Sequence, residues 1–281
     1  MGVYKNFLVA LDESDSSHTA FKEIVKLILQ DTETESINLT AMTVAPAYTG
    51  EYGVMEMDKV WDSVCQPCKA ALAYAEQEAL SLGLKLKKVC VEGEAFQRIA
   101  DYANENDCDL IVLGRRGISR LARALMGSIT FRVIGYSTRD VLVVPRDSSI
   151  GFKNIVLAMD GSKCSNAAAI KAIDVARSYG GKITAVSVVE PSSQKNEETA
   201  TKAAEGFLAG VLEMAKSAGV PAKSDILKGP VYSAVTDFAA LQQADVIIIG
   251  SHGRTGLMRL IMGNTAEKII GHAHCPTLVV R

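Results

Sequence analysis

Glycines spaced to admit an anion occur twice in this chain. Gly114-Arg115-Arg116-Gly117 is followed, after nine residues, by Gly127-Ser128; Gly250-Ser251-His252-Gly253 is followed, after nine more, by Gly263-Asn264. Each set closes a short apolar run, Leu110–Gly114 and Val246–Gly250. A buried strand that ends in glycines and feeds a helix turns backbone N–H groups, and the positive end of the helix dipole, toward a negative group. Asp12 and Asp160 close two further apolar runs and offer carboxylates at what must also be strand ends. Arg115, Arg116, Arg120 and Arg123 lie in or after the first loop, where they can add charge-assisted contacts. The same residues have a plainer reading: tight strand-to-helix connections, an aspartate serving as a helix N-cap, and a solvated basic face.

Other constellations are weaker. Cys65-x-x-Cys68 invites a metal or redox reading, and Pro67 between the two thiols suggests a helix starting there. A structural zinc needs four ligands, and His272, His274 and Cys275 form the one other cluster, in the opposite half of the chain. Ordinary thiols are the default. His18 and His252 have no evident partner, and no serine, histidine and acid set supports hydrolysis. Gly-x4-Gly-Lys-[Ser/Thr] is absent, and no Gly-x-Gly-x-x-Gly follows the first strand, which argues against P-loop and dinucleotide sites. The His-x-Gly-His and Ser-Gly-Gly-x-Asp-Ser signatures of adenylyl transfer are missing too.

The elements that must hold these residues are themselves duplicated. Asn6–Asp12 matches Asn154–Asp160, Leu39–Val44 matches Ile183–Val188, and Val141–Val144 matches Thr277–Val280. Gly93 and Asp109 recur as Gly229 and Asp245. Ala20, Phe21, Ile24, Val25, Ile28 and Leu29 share one helical face, as do Ala168, Ala169, Ala172, Ile173 and Ala176. Serines at 14–17 and 162–165 can cap those helices. Longer helices are expected from Cys68 to Leu82 and from about Asn196 to Ala218. Strands that are apolar throughout and alternate with helices imply a parallel sheet covered on both faces. Two domains follow, 1–146 and 151–281, each a doubly wound five-stranded α/β unit whose ligand cleft lies beyond the strand carboxyl ends. Pro46–Met57 is longer than its counterpart and is either a cover for the cleft or a tolerated surface loop.

Composition narrows the partners. With 48% hydrophobic residues, each half can bury a full core, and a formal net charge of −2 without a polybasic tail argues against nucleic acid. No apolar stretch is long enough to span a bilayer, and the amino terminus lacks the pattern of a signal peptide. Six scattered cysteines suit reduced thiols. A cytoplasmic protein without a membrane partner is expected.

The pattern Gly-x2-Gly-x9-Gly-[Ser/Thr], with an aspartate closing the first strand and a valine closing the second, resembles the universal stress protein family in its tandem two-domain form. The resemblance covers essentially the whole chain. It implies sheets ordered 3-2-1-4-5, pairing through the fifth strand, and hence an intramolecular pseudo-dimer with a homodimer of such units as the further option. It also implies, in one subclass, binding of an adenine nucleotide: ATP, with ADP and AMP as alternatives, with or without magnesium. By that resemblance Asp12 would meet adenine or ribose and the Val44 backbone the adenine edge. Gly114 and Gly117 would let the main chain approach ribose and phosphates, while Gly127, Ser128, Arg115 and Arg116 would serve the phosphates. The second-half equivalents are Asp160, Val188, Gly250, Gly253, Gly263 and Asn264; Asn264 departs from the family's hydroxyl residue, which puts nucleotide binding there in doubt. The function implied is that of a nucleotide-binding stress-response sensor or regulator, with hydrolysis slow if it occurs at all. The alternative is a tandem interaction scaffold that binds no nucleotide.

Overall fold

A computed structural model describes residues 2–30, 34–47, 57–117, 126–191, 194–253 and 262–281. In the first half, the chain runs β1 (Asn6–Ala10), α1 (Asp15–Leu29), β2 (Asn38–Ala45), α2 (Met57–Ser81), β3 (Leu86–Glu92), α3 (Ala95–Glu105), β4 (Leu110–Gly114), α4 (Ser128–Tyr136) and β5 (Asp140–Val144). The second half repeats the plan as β6 (Asn154–Ala158), α5 (Lys163–Tyr179), β7 (Lys182–Val189), α6 (Gln194–Ser217), β8 (Ala222–Lys228), α7 (Val231–Leu241), β9 (Val246–Gly250), α8 (Asn264–His272) and β10 (Thr277–Val280).

All ten strands form one sheet, ordered β3-β2-β1-β4-β5-β10-β9-β6-β7-β8. Each half has the expected order 3-2-1-4-5 and is parallel throughout. The halves join where β5 and β10 run antiparallel, Val141 opposite Val279 and Val143 opposite Thr277, so a pseudo-two-fold relates them. Alternation along the strands explains the two cores. Phe7, Val9, Leu110 and Val112 face one layer with α1, α2, α5 and α6, while Leu8, Ala10, Ile111 and Leu113 face the other with α3, α4, α7 and α8. The outermost strands differ from the central ones. β3 exposes Lys87 and Lys88, and β8 exposes Lys223 and Lys228, charges that discourage pairing with another chain.

Recurring polar residues set the register of each half. Asp109 Oδ2 accepts from the backbone N–H of Lys5 and Asn6 at 2.8 and 2.9 Å, and Asp245 Oδ2 accepts from Lys153 and Asn154, both at 2.8 Å. Gly93 and Gly229 enter the next helix with φ of 136° and 123°, a conformation side-chain-bearing residues avoid. One expectation is overturned. α2 begins at Met57, so Pro67 lies inside the helix and does not start it. Proline inside a helix forgoes a single backbone bond, and Cys68 and Ala71, both buried just after it, hold that stretch of α2 against the sheet.

Candidate functional site

The carboxyl ends of β1 and β4 are held by a compact set of serines and glycines. Ser14 caps α1 by accepting from the Ser17 N–H at 3.2 Å. Asp12 Oδ1 accepts from the Ser14 N–H at 3.1 Å and from its hydroxyl, while the Ser17 hydroxyl donates to the Asp12 carbonyl at 2.7 Å. This fixes the carboxylate with Oδ2 toward the glycine loop, because a Cβ on Gly117 would lie 2.6 Å from it. The loop is pinned in turn: Arg115 N–H donates to the Val144 carbonyl, Gly127 N–H to the Arg115 carbonyl at 2.9 Å, and the Thr130 hydroxyl to the Gly114 carbonyl at 3.0 Å. Gly127 is the N-cap of α4 and supplies no side-chain acceptor to the helix's first turn. Those N–H groups are oriented for an incoming anion.

These ends open into a cavity of about 940 Å³. Asp12, Val44, Gly114, Arg116, Gly117, Gly127 and Ser128 all line it, so the structure brings together seven of the eight first-half residues singled out in the sequence. Arg115 is the exception. Its Nη1 donates to the Ala273 carbonyl at 2.6 Å, at the C-cap of α8 in the other half. Burial, and secondarily the Arg116 charge, lower its pKa below the ordinary arginine value. Arg120, Arg123 and residues 48–56 of the longer connection lie outside the described residues, as does the Cys65 side chain.

The two glycines of the first loop do different jobs. A Cβ on Gly114 would sit 2.7 Å from Ser16 and Ser17 of α1, so this glycine is demanded by helix packing rather than by room for a ligand. Gly117 is exposed, and its close neighbour is the Asp12 carboxylate. The second half repeats both relations: a Cβ on Gly250 would meet Cys164, and one on Gly253 would lie 2.9 Å from Asp160 Oδ2. There Asp160 Oδ1 accepts from the Ser162 N–H at 2.9 Å, Gly263 caps α8, and Val188 and Asn264 occupy the corresponding positions. The chemistry differs, however, because Ser251 and His252 stand where the first half has its arginine pair, with His252 Nδ1 3.0 Å from the Ser251 hydroxyl.

Several cavity residues carry no sequence signal for a place in this site. Pro67, Cys68 and Ala71 of α2, Ala95 and Ile99 of α3, and Met126 form much of the apolar wall, and Glu267 reaches the cavity from the second half. Cys68 was noticed as half of a Cys-x-x-Cys pair, yet its place is on this wall. Among the described residues, no group of three or more His, Cys, Asp or Glu side chains could hold a metal ion, and no helix is long and apolar enough to cross a membrane. His18 stacks on Tyr74 with ring centroids 4.0 Å apart.

The fold and this cleft define a duplicated, doubly wound α/β protein with a ligand-sized cavity at the strand carboxyl ends. The model of the universal stress protein family matches residues 3–145 and again 151–281, and the chain belongs to that family. A universal stress protein of Methanocaldococcus jannaschii is 34% identical over 140 residues, covering 46% of this chain and 82% of that protein. One from Bacillus subtilis is 28% identical over 150 residues, covering 50% and 99% respectively. The crystal structure of a universal stress protein from Archaeoglobus fulgidus superimposes with a TM-score of 0.72 at 20% identity, over 98% of this chain and 95% of that one, which establishes the shared fold.

Proposed function

We propose that the first half binds an adenine nucleotide, ATP before ADP or AMP, and that the protein responds to that ligand as a sensor or regulator in the stress response. The observation that carries this reading is the convergence of Asp12, Val44, Gly114, Arg116, Gly117, Gly127 and Ser128 on one cavity of about 940 Å³, within the range of small-molecule sites. The polar end offers Asp12 to base or ribose and the α4 N-terminus, Ser128 and Arg116 to phosphates; the apolar end offers Val44, Ile99 and Leu113 to a flat base. Magnesium, if required, would come with the phosphates, since the aspartate alone does not make a metal cage. Asp160, Val188, Gly250, Gly253, Gly263 and Asn264 form the equivalent second site, in which His252 replaces an arginine and a triphosphate is less well matched. The domains are assigned as 1–146 and 151–281, forming an intramolecular pseudo-dimer in a cytoplasmic protein.

Calorimetric titration with ATP and magnesium tests the reading. Asp12→Ala should weaken binding about tenfold or more, as expected for losing a hydrogen bond from a charged acceptor. Wild-type protein that takes up no nucleotide would overturn it. One observation favours the scaffold alternative: Arg115, a candidate phosphate contact, is committed to Ala273 in the other half.

A further inference from the structure

The strip where the halves meet is nearly the same on both sides. Val141, Leu142 and Val143 pair with Val279, Leu278 and Thr277, all buried. Apolar area of this kind does not distinguish partners, so β5 and β10 would each match a second copy of themselves about as well as each other. The differences lie at the ends of the strip. Ile111 pairs with Val141 as Ile247 pairs with Thr277, so Asp140 corresponds to Pro276. Tyr4 precedes Asn6 as Phe152 precedes Asn154, and Glu23 stands as far beyond Asp12 as Lys171 beyond Asp160.

At one end, Asp140 is buried and fully engaged. Its Oδ2 accepts from the Tyr4 hydroxyl at 2.9 Å and lies 3.0 Å from Lys171 Nζ of the other half, and its Oδ1 accepts from the Arg281 N–H at 3.1 Å. The Lys171 ammonium also lies 5.0 Å from the centre of the Tyr4 ring. At the pseudo-symmetric end the carboxylate is replaced by Pro276, the phenol by Phe152 and the ammonium by Glu23. The Glu23 carboxylate meets Lys26 at 2.6 Å and accepts from the Ile150 N–H at 3.2 Å. Three positions change together, and the change places the cross-strip ion pair at one end only.

We propose that Asp140, Lys171 and Glu23 make this strip selective for the other half of the same chain. Two first halves joined through β5 would set Asp140 of each against Glu23 of the other, at both ends. Two second halves would set Lys171 against Pro276 and leave the ammonium without its carboxylate. The mixed pair alone is matched, and like charges in a largely buried strip disfavour wrong pairings strongly. The consequence is closure. Halves free to pair with copies in other chains would link into open strings, whereas a selective strip closes each chain on itself.

The test uses the full chain with a protease site in the 146–150 connection, cut after folding, unfolded in urea, refolded by dilution and read by native mass spectrometry, which separates the three pairings by mass. Indifferent halves give mixed pairs in about half of all dimers; the expected result is at least a roughly tenfold excess of mixed over first-half pairs. Asp140→Lys puts opposite charges across the first-half pair and like charges across the mixed one, so first-half pairs should dominate. Adding Lys171→Glu gives the mixed pair an ion pair again while first-half pairs keep theirs with Glu23, so mixed pairs should rise back to about half of all dimers, and the milder Asp140→Asn should also bring the distribution toward statistical. In the uncut chain, Asp140→Lys should raise the light-scattering mass above that of one chain, and the double variant should return it; this readout decides the matter if cut halves do not refold. Statistical pairing of the wild type, or a distribution and mass unmoved by Asp140→Lys, would overturn the proposal.

Discussion

Replacing Gly114 by alanine separates what the glycine loop does for the fold from what it does for a ligand. The added Cβ would lie 2.7 Å from the Ser16 carbonyl carbon, the Ser16 Cβ and the Ser17 nitrogen. Comfortable carbon contacts are about 3.5–4.0 Å, so the first turn of α1 must withdraw by roughly 1 Å. Two of the three obstructing atoms are backbone, and no rotamer change relieves them. Withdrawal loosens the contacts of Ala20, Phe21 and Ile24, all fully buried on that helix. Overpacking of this kind costs about 1–3 kcal/mol, and for a chain of this size each kcal/mol is worth about 2–4 °C. Calorimetry without nucleotide should therefore show Tm lower by roughly 4–8 °C for a cost near the middle of that range. Gly117→Ala is the contrast. Its Cβ would lie 2.6 Å from Asp12 Oδ2, the end of a side chain that can turn aside. That variant should keep Tm within about 2 °C and lose nucleotide affinity. A Gly114→Ala protein melting with the wild type would refute the packing argument.

Further expectations follow from other parts of the fold. Asp109→Ala strands the N–H groups of Lys5 and Asn6, and should lower stability by about 2–3 kcal/mol in urea titrations. Gly206 and Gly210 face open space within α6, so alanine at either should raise stability by about 0.5–1 kcal/mol through helix propensity. Burial, then the Glu78 charge, push Tyr74 up to about 12 from 10.0, and burial beside Asp140 raises Tyr4 well above that ordinary value. The folded chain then keeps protons that the unfolded chain has released, so stability should be intact below pH 10.0 and fall as pH rises toward about 12. Urea midpoints across that window should show the fall, lessened in Tyr74→Phe. A window without such a fall would contradict the shift.

The duplicated plan was legible because strand periodicity, capping serines and glycine spacing are local. Asp12 and Asp160 announce strand ends through the apolar runs before them, and Ser14 and Ser162 cap helices as their positions suggested. What escaped is long-range. Arg115 bonds a carbonyl in the other half, and Glu267 reaches a cavity built almost wholly by the first half; neither leaves a trace in neighbouring residues. Gly114 and Gly117 look alike in sequence, yet one is fixed by a helix packed behind it and the other by a carboxylate in front. Pro67 differs for a related reason: a local helix-start signal does not say how much helix lies before it, and α2 begins at Met57.

The central claim, that the first-half cavity holds an adenine nucleotide, is tested most directly by denaturing freshly purified protein and quantifying the released small molecules by mass spectrometry. The expected result is about one ATP or ADP per chain, with occupancy lost in Asp12→Ala while the fold is retained. No nucleotide released, together with no heat on adding ATP and magnesium, would contradict the account and leave the tandem scaffold as the reading of this chain.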